Sequence, residues 1–148
     1  MSAVVQRAFV NDVPHLAPLF NEYREFYGKP SDLGAAEAFL RERIDQNESA
    51  VFFVGTVALP IAFMQLYPSF SSLSLRRMWI LNDLYVVPSQ RRNGFGRALL
   101  IAAESFARSQ NAKGLVLQTA HSNSVAQALY LSTGWRLERE FATFEREV

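Results

Sequence analysis

The sequence predicts a mixed α/β (α+β) domain of 148 residues built around one sheet. Three observations carry this. Segments of helical period alternate with segments rich in β-formers, in the order βααβββαβαββ. The apolar run GLVLQT (114–119) reads as a strand buried on both faces. No linker-like stretch, internal repeat or low-complexity segment divides residues 1–148, so one domain is expected.

In order, VVQRAF (4–9) is a short strand. Asn11 or Asp12 then caps a helix with Pro14 in its first turn. Leu16, Leu19, Phe20, Tyr23 and Phe26 lie on one side of it, and it ends near Gly28. A second helix, from about Asp32 to Asn47, sets Ala36, Phe39, Leu40 and Ile44 on one face. AVFFVGTV (50–57) and PIAFMQLYP (60–68) form a hairpin. RRMWILNDLYVVP (76–88) is a long strand stopped by Pro88. A helix runs from Gly94 to about Asn111, and Ser122 or Asn123 opens another that ends at Gly134. The remainder, WRLEREFATFEREV, reads as one or two final strands.

Composition narrows the function. Hydrophobic residues make up 49% and charged residues 20%, with 12 phenylalanines, as in a globular protein with a full core. A net charge of +1 is unlike a nucleic-acid binder. No apolar run is long enough to span a membrane, and the first residues lack a signal-peptide layout; the cytoplasm is expected. With no cysteine there is no disulfide, thiolate metal site or cysteine nucleophile. His15 and His121 lie far apart without an acidic partner motif, so no metal site is expected.

The stretch QRRNGFGRALL (90–100) places two glycines at the start of a helix behind basic residues. First-turn amides have no partner inside the helix, and the dipole adds partial positive charge. Such a terminus takes an anion, commonly a phosphate. Gly94 and Gly96 let the ligand approach the backbone. Arg91, Arg92 and Arg97 can add charge-assisted bonds. A glycine turn with a solvated basic edge is the alternative. The loop lacks the Gly-Lys-Ser/Thr of a P-loop, and the third glycine and following acid of a dinucleotide fingerprint.

What stands here is Val86-x-Pro88-x-x-Arg91-x-x-Gly94-x-Gly96. This resembles the acetyl-coenzyme A loop of the GNAT superfamily of N-acetyltransferases. A second segment, Asn123, Ala126, Tyr130, Gly134 and Trp135, resembles that family's later motif, and the element order fits over nearly the whole chain. In appearance the chain is most similar to the small polyamine- and histone-type acetyltransferases.

The resemblance implies a central, mostly antiparallel mixed sheet with two splayed parallel strands, which would end near Val87 and Thr119. Acetyl-coenzyme A would lie in the gap as co-substrate. Backbone groups of Leu84, Tyr85 and Val86 would hold its pantetheine arm like an added strand. Residues Arg91, Arg92, Asn93, Gly94, Phe95, Gly96 and Arg97 would hold the pyrophosphate. Asn123 would bond the pantetheine, cap its helix, or do both. Tyr130 would be the general acid on the leaving thiolate; on periodicity alone it is a core tyrosine. Strand alternation sends Asn82 and Asp83 to opposite faces. Asp83 is the candidate base toward the amine, the alternative being a buried carboxylate paired with an arginine.

The acceptor site implied by the family is built from Glu22, Tyr23, Tyr27, Asp32, Tyr67 and Trp79, with Asn82 and His121 at its margins. Aromatic and acidic groups suit a cationic amine; Tyr23 and Trp79 are alternatively core. Arg76 and Arg77 offer a carboxylate site or a solvated edge. The expected activity is direct acetyl transfer to a primary amine of a small molecule such as a polyamine or amino acid. A protein lysine or N-terminal amine is the second expectation, and a non-catalytic acyl-coenzyme A sensor the third. The final strands, lying at a sheet edge, suggest a homodimer.

Overall fold

A computed structural model describes residues 4–148. The chain forms two compact units, one ending at Gln118 and one spanning Thr119–Val148.

The larger unit holds the sheet. Its strands are β1 (Val5–Arg7), β2 (Ala50–Gly55), β3 (Pro60–Ser71), β4 (Arg76–Val86) and β5 (Gly114–Leu117). They lie in sequence order, antiparallel from β1 to β4 and parallel between β4 and β5. Helices α1 (Val13–Phe26) and α2 (Leu33–Asp45) precede β2, and α3 (Phe95–Ser109) joins β4 to β5.

Period-2 alternation sorts the layers. Phe53 and Phe63 join Leu16, Leu19 and Phe20 of α1 and Leu40 of α2 in one core cluster. Phe52, one residue from Phe53, instead meets Phe106 of α3, ring to ring at 5.2 Å. Each fully buried Phe or Leu of these layers contributes about 1.5–3 kcal/mol.

The helix starts follow the sequence with one change of partner. Asp32 caps α2, its carboxylate accepting the Ala35 amide at 3.0 Å. Asp12 occupies the N-cap position of α1, but its carboxylate accepts the amide of Phe9 instead, at 2.8 Å. Asn21, buried in α1, fixes the connection to α2: its carbonyl oxygen accepts the Asp32 amide at 2.9 Å and its amide donates to Ser31 Oγ at 3.0 Å. The face that α1 turns to the sheet is thereby set.

The smaller unit contains α4 (Ser124–Ser132), capped by Asn123, whose Oδ1 accepts the Ala126 amide at 3.2 Å. The expected final strands do not form: residues 136–148 carry no strand, and Leu137, Phe141 and Phe144 are 59%, 82% and 92% exposed. The cause is local. The Glu138 carboxylate accepts the amides of Glu140 at 2.7 Å and Phe141 at 3.0 Å. A side chain thus takes the donors that a ladder needs, and the same bonds hold the Glu138 carboxyl below its ordinary pKa. The edge on which the homodimer expectation rested is therefore not built by this segment. Nor is β5 buried on both faces as expected. It is half-buried and ends at Leu117, with Val116 46% exposed. Among the described residues no helix is long and apolar enough to cross a membrane.

Candidate active site

The site grows from an irregularity in β4. Gln65 pairs with Asp83, but the next β3 residue, Leu66, pairs with Leu81. Asn82 is therefore an extra residue, a β-bulge, and it reverses which face the following side chains take. Before it, Trp79 turns to α3 and meets Phe106 at 4.8 Å. After it, Asp83 and Tyr85 turn to α1, where Tyr85 lies 5.8 Å from the ring of Tyr23. Two expectations change here. Asn82 and Asp83 do not part to opposite faces, since Asn82 Nδ2 donates to Asp83 Oδ1 at 3.2 Å. Trp79 lies on the α3 side of the sheet, with the core rather than with Asp83.

Asp83 is only 6% exposed. Gln65 Nε2 donates to its Oδ2 at 2.8 Å, and the Tyr23 hydroxyl and Asn82 amide complete its partners. Burial raises the carboxyl above its ordinary pKa, and the three hydrogen bonds oppose that rise without cancelling it. Its partners feel it in turn. The Tyr23 phenol is pushed above the ordinary phenol range by burial and then by Asp83. Burial, followed by Asp83, moves Tyr67 up to about 12, against the opposing pull of Arg43.

Around this carboxylate the structure gathers several of the expected residues. Tyr27 meets Tyr23 edge-on at 5.1 Å. The Tyr85 hydroxyl is hydrogen-bonded to Glu22 and Arg91, and burial followed by Glu22 raises its pKa. Gln65, fully buried, is the partner that sequence reasoning missed. Its signal was available: a single amide inside the apolar run IAFMQLY.

The C-terminal end of β4 is open on one edge. The parallel ladder to β5 stops at Leu81 and Leu117, while β4 continues to Val86. The Val87 amide donates to Ile61 O at 3.0 Å, which sets the phase of the antiparallel ladder. Residues 83, 85 and 87 therefore turn their backbone groups to β3. Those of Leu84 and Val86 turn to the other edge. Arg91 already uses this edge, its Nε donating to Val86 O at 3.0 Å while its guanidinium stacks over Phe26 at 5.0 Å and Tyr85 at 5.6 Å.

Beyond β4, a 3₁₀ turn (Pro88–Gln90) leads to α3. Asn93 Nδ2 ties the loop back to Gln90 O at 3.1 Å. Gly94 takes the N-cap position with φ of 81°, a left-handed conformation that favours glycine, and a Cβ there would point into open space. Phe95, Gly96 and Arg97 form the first turn, and Arg92 is exposed beside it.

The other expected residues lie in the smaller unit. Asn123 caps α4, the half-buried ring of Tyr130 lies 6.2 Å from that of Trp135, and His121 is exposed.

Comparison with known proteins agrees with this geometry. The family model described as "Acetyltransferase (GNAT) family" matches residues 16–135. The uncharacterized N-acetyltransferase YhfO of Bacillus subtilis (strain 168) is 45% identical over 140 residues, covering 95% of this chain and 94% of that one. The aminoglycoside N(6')-acetyltransferase type 1 of Klebsiella aerogenes is 34% identical over 105 residues, 61% of this chain and 69% of its own. A crystal structure of a probable acetyltransferase superposes with a TM-score of 0.92 at 39% identity, covering 98% and 97% of the two chains. An open β4 edge leading into a glycine-started helix, and a family match across most of the length, lead to one conclusion: this chain is an N-acetyltransferase of the GNAT family.

Proposed function

We propose that the protein moves the acetyl group of acetyl-coenzyme A directly to a primary amine of a small cationic molecule, as a single catalytic domain. The observation that carries the acceptor class is the buried Asp83 carboxylate, held by Tyr23, Gln65 and Asn82 with Tyr67, Tyr27 and Glu22 nearby. Aromatic faces and carboxylates together favour a cation. The aminoglycoside acetyltransferase among its relatives supports the same class.

The residues divide the work. The outward backbone groups of Leu84 and Val86 suit the amide-bearing arm of the co-substrate, as an added strand would pair. The first-turn amides of α3, opened by Gly94, suit its pyrophosphate, with Arg92 and Arg97 supplying positive charge. Asp83 takes a proton from the ammonium, and its raised pKa brings it closer to the amine it must deprotonate. The neutral amine attacks the thioester carbonyl, an N–C bond forms, the C–S bond breaks, and the proton that the nitrogen sheds on becoming an amide passes to solvent, which in turn restores the phenol that protonates the sulfur. Tyr130 donates its phenolic proton to the departing sulfur, on the strength of the motif it carries.

Thiol release from acetyl-coenzyme A tests this reading against four acceptor classes: an aminoglycoside, a polyamine, free amino acids and a lysine-containing peptide. Faster release with one of the small amines is expected, together with a 10–1,000-fold lower kcat in Tyr130→Phe, on the order of a lost general acid. Release driven only by the peptide would move the acceptor to protein. No amine-dependent release with any acceptor would favour a sensor.

A further inference from the structure

The opposite end of β4 borders a second polar cavity, of about 460 Å³. Arg7, Asn47, Ser49, Phe70, Arg77 and Trp79 are in its wall. Trp79 precedes Val86 by seven positions, which at about 3.3 Å per residue separates this cavity from the open edge by roughly 20 Å.

Its lining is unusual in what it offers. Among the described residues no aspartate or glutamate contributes to it, and neither Arg7 nor Arg77 forms an ion pair. Both are held instead by rings: Arg7 over Phe106 at 5.0 Å and Phe52 at 5.5 Å, Arg77 over Phe70 at 4.8 Å and Trp79 at 5.5 Å. Stacking uses the face of a guanidinium and leaves its in-plane N–H groups for an acceptor. Two polar groups behind this wall, closed off from the cavity itself, have no partner. Ser49 Oγ and Trp79 Nε1 are buried without a hydrogen bond, in residues that are 6% and 7% exposed. Buried polar atoms without partners are rare and call for a cause. An acceptor-rich ligand in the cavity would satisfy the in-plane N–H groups of both arginines together.

We propose that this cavity is a binding site for a small organic oxyanion, a phosphate or carboxylate, separate from the transfer site. A cation is opposed by the two arginines. A neutral apolar molecule would leave both guanidinium edges without an acceptor. The volume exceeds that of a bare inorganic ion and falls within the range of small-molecule pockets.

The indole N–H of Trp79 provides a local readout. The chain has two tryptophans, so Trp135→Phe assigns the two indole resonances in ¹⁵N-labelled protein. Phenyl phosphate and benzoate, titrated in parallel at constant ionic strength, are the probes. A saturable shift of the Trp79 indole signal is expected with at least one of them, the tighter probe naming the oxyanion. Arg7→Gln combined with Arg77→Gln should weaken that binding at least tenfold, with the remaining amide spectrum retained. Arg77→Gln alone should weaken it severalfold and serves if the double variant does not fold. No movement of the Trp79 signal, equal movement with sodium chloride, or unchanged affinity in the folded variants would overturn the proposal.

Discussion

Upstream of Asn82, β4 presents Arg77 and Trp79 to the α3 face; downstream it presents Asp83 and Tyr85 to the α1 face. The two halves are parts of one strand, yet one is lined by donors and the other centres on a carboxylate. One inserted residue keeps them apart. Without the bulge, strict alternation would carry Asp83 to the same face as Trp79 and Arg77. On the α1 face three hydrogen bonds and no cation oppose the burial of Asp83, so its carboxyl rises. The bulge thus decides which groups surround the carboxylate, without any change of residue type.

The most severe way to break the contrast is Asp83→Asn, which keeps shape and removes the proposed base. The turnover rate should fall by roughly 10²–10⁴-fold, the range of a lost general base. Its pH profile should change as well. If Asp83 is the base, the acid limb of the intact enzyme should follow its ionisation, and the raised pKa should place that limb above the ordinary carboxylate range. In Asp83→Asn that limb should vanish, and the residual rate should climb with deprotonation of the free amine, leaving the largest deficit at low pH. An unchanged pH–rate profile would place the base elsewhere.

A smaller effect belongs to the loop that follows the downstream half. Gly94→Val puts a β-branched residue at a φ of 81° where the added carbon meets no neighbour. The cost is therefore backbone strain rather than a clash, of order 1–3 kcal/mol. Relief of that strain turns the first amides of α3. Coenzyme A affinity, measured by calorimetry, should weaken roughly tenfold, while the Trp79 indole signal upstream should stay in place. Full affinity in Gly94→Val would separate the loop from the cofactor.

These two positions also mark the limit of what the sequence discloses. The strand from Arg76 and its stop near Pro88 are legible because β-formers and proline act locally. The loop is legible because glycines at a helix start have a specific steric use. The bulge is not. Register depends on two strands at once, and the bulge carries no glycine at Asn82 to mark it. Strict alternation without it sends Asn82 away from Asp83, and the structure reverses that. The arginines at 76 and 77 suggest only a substrate-carboxylate site or a solvated edge. Sequence spacing cannot show that Arg77 shares a wall with Arg7, which lies on a strand at the far side of the sheet order. The last segment departs from expectation for another reason: WRLEREFATFEREV has strand-like residues, but a strand needs a partner, and Glu138 captures two of its amides first.

The smallest effect concerns stability, and its sign follows from Asp83 alone. The folded carboxyl titrates above its unfolded value of about 3.9, so the folded state holds the proton to higher pH. Stability from this group is fully present below about pH 4 and is lost as pH rises through the folded pKa. A tenfold difference in proton affinity between the folded and unfolded chains corresponds to about 1.4 kcal/mol. Asp83→Asn carries no such proton and loses nothing over the same interval. Relative to the parent, the variant should therefore gain melting temperature as pH rises from about 4 through the folded pKa, by a few degrees for each kcal/mol in a chain of this size. At the upper end of that interval the variant would then be a poor enzyme at its most favourable stability relative to the parent, as expected where a buried charge is kept for reactivity at the cost of stability. A melting-temperature difference that stays flat across that interval would mean that hydrogen bonds from Gln65, Tyr23 and Asn82 fully offset the burial, and the contrast between the two halves of β4 would then be one of shape and not of charge.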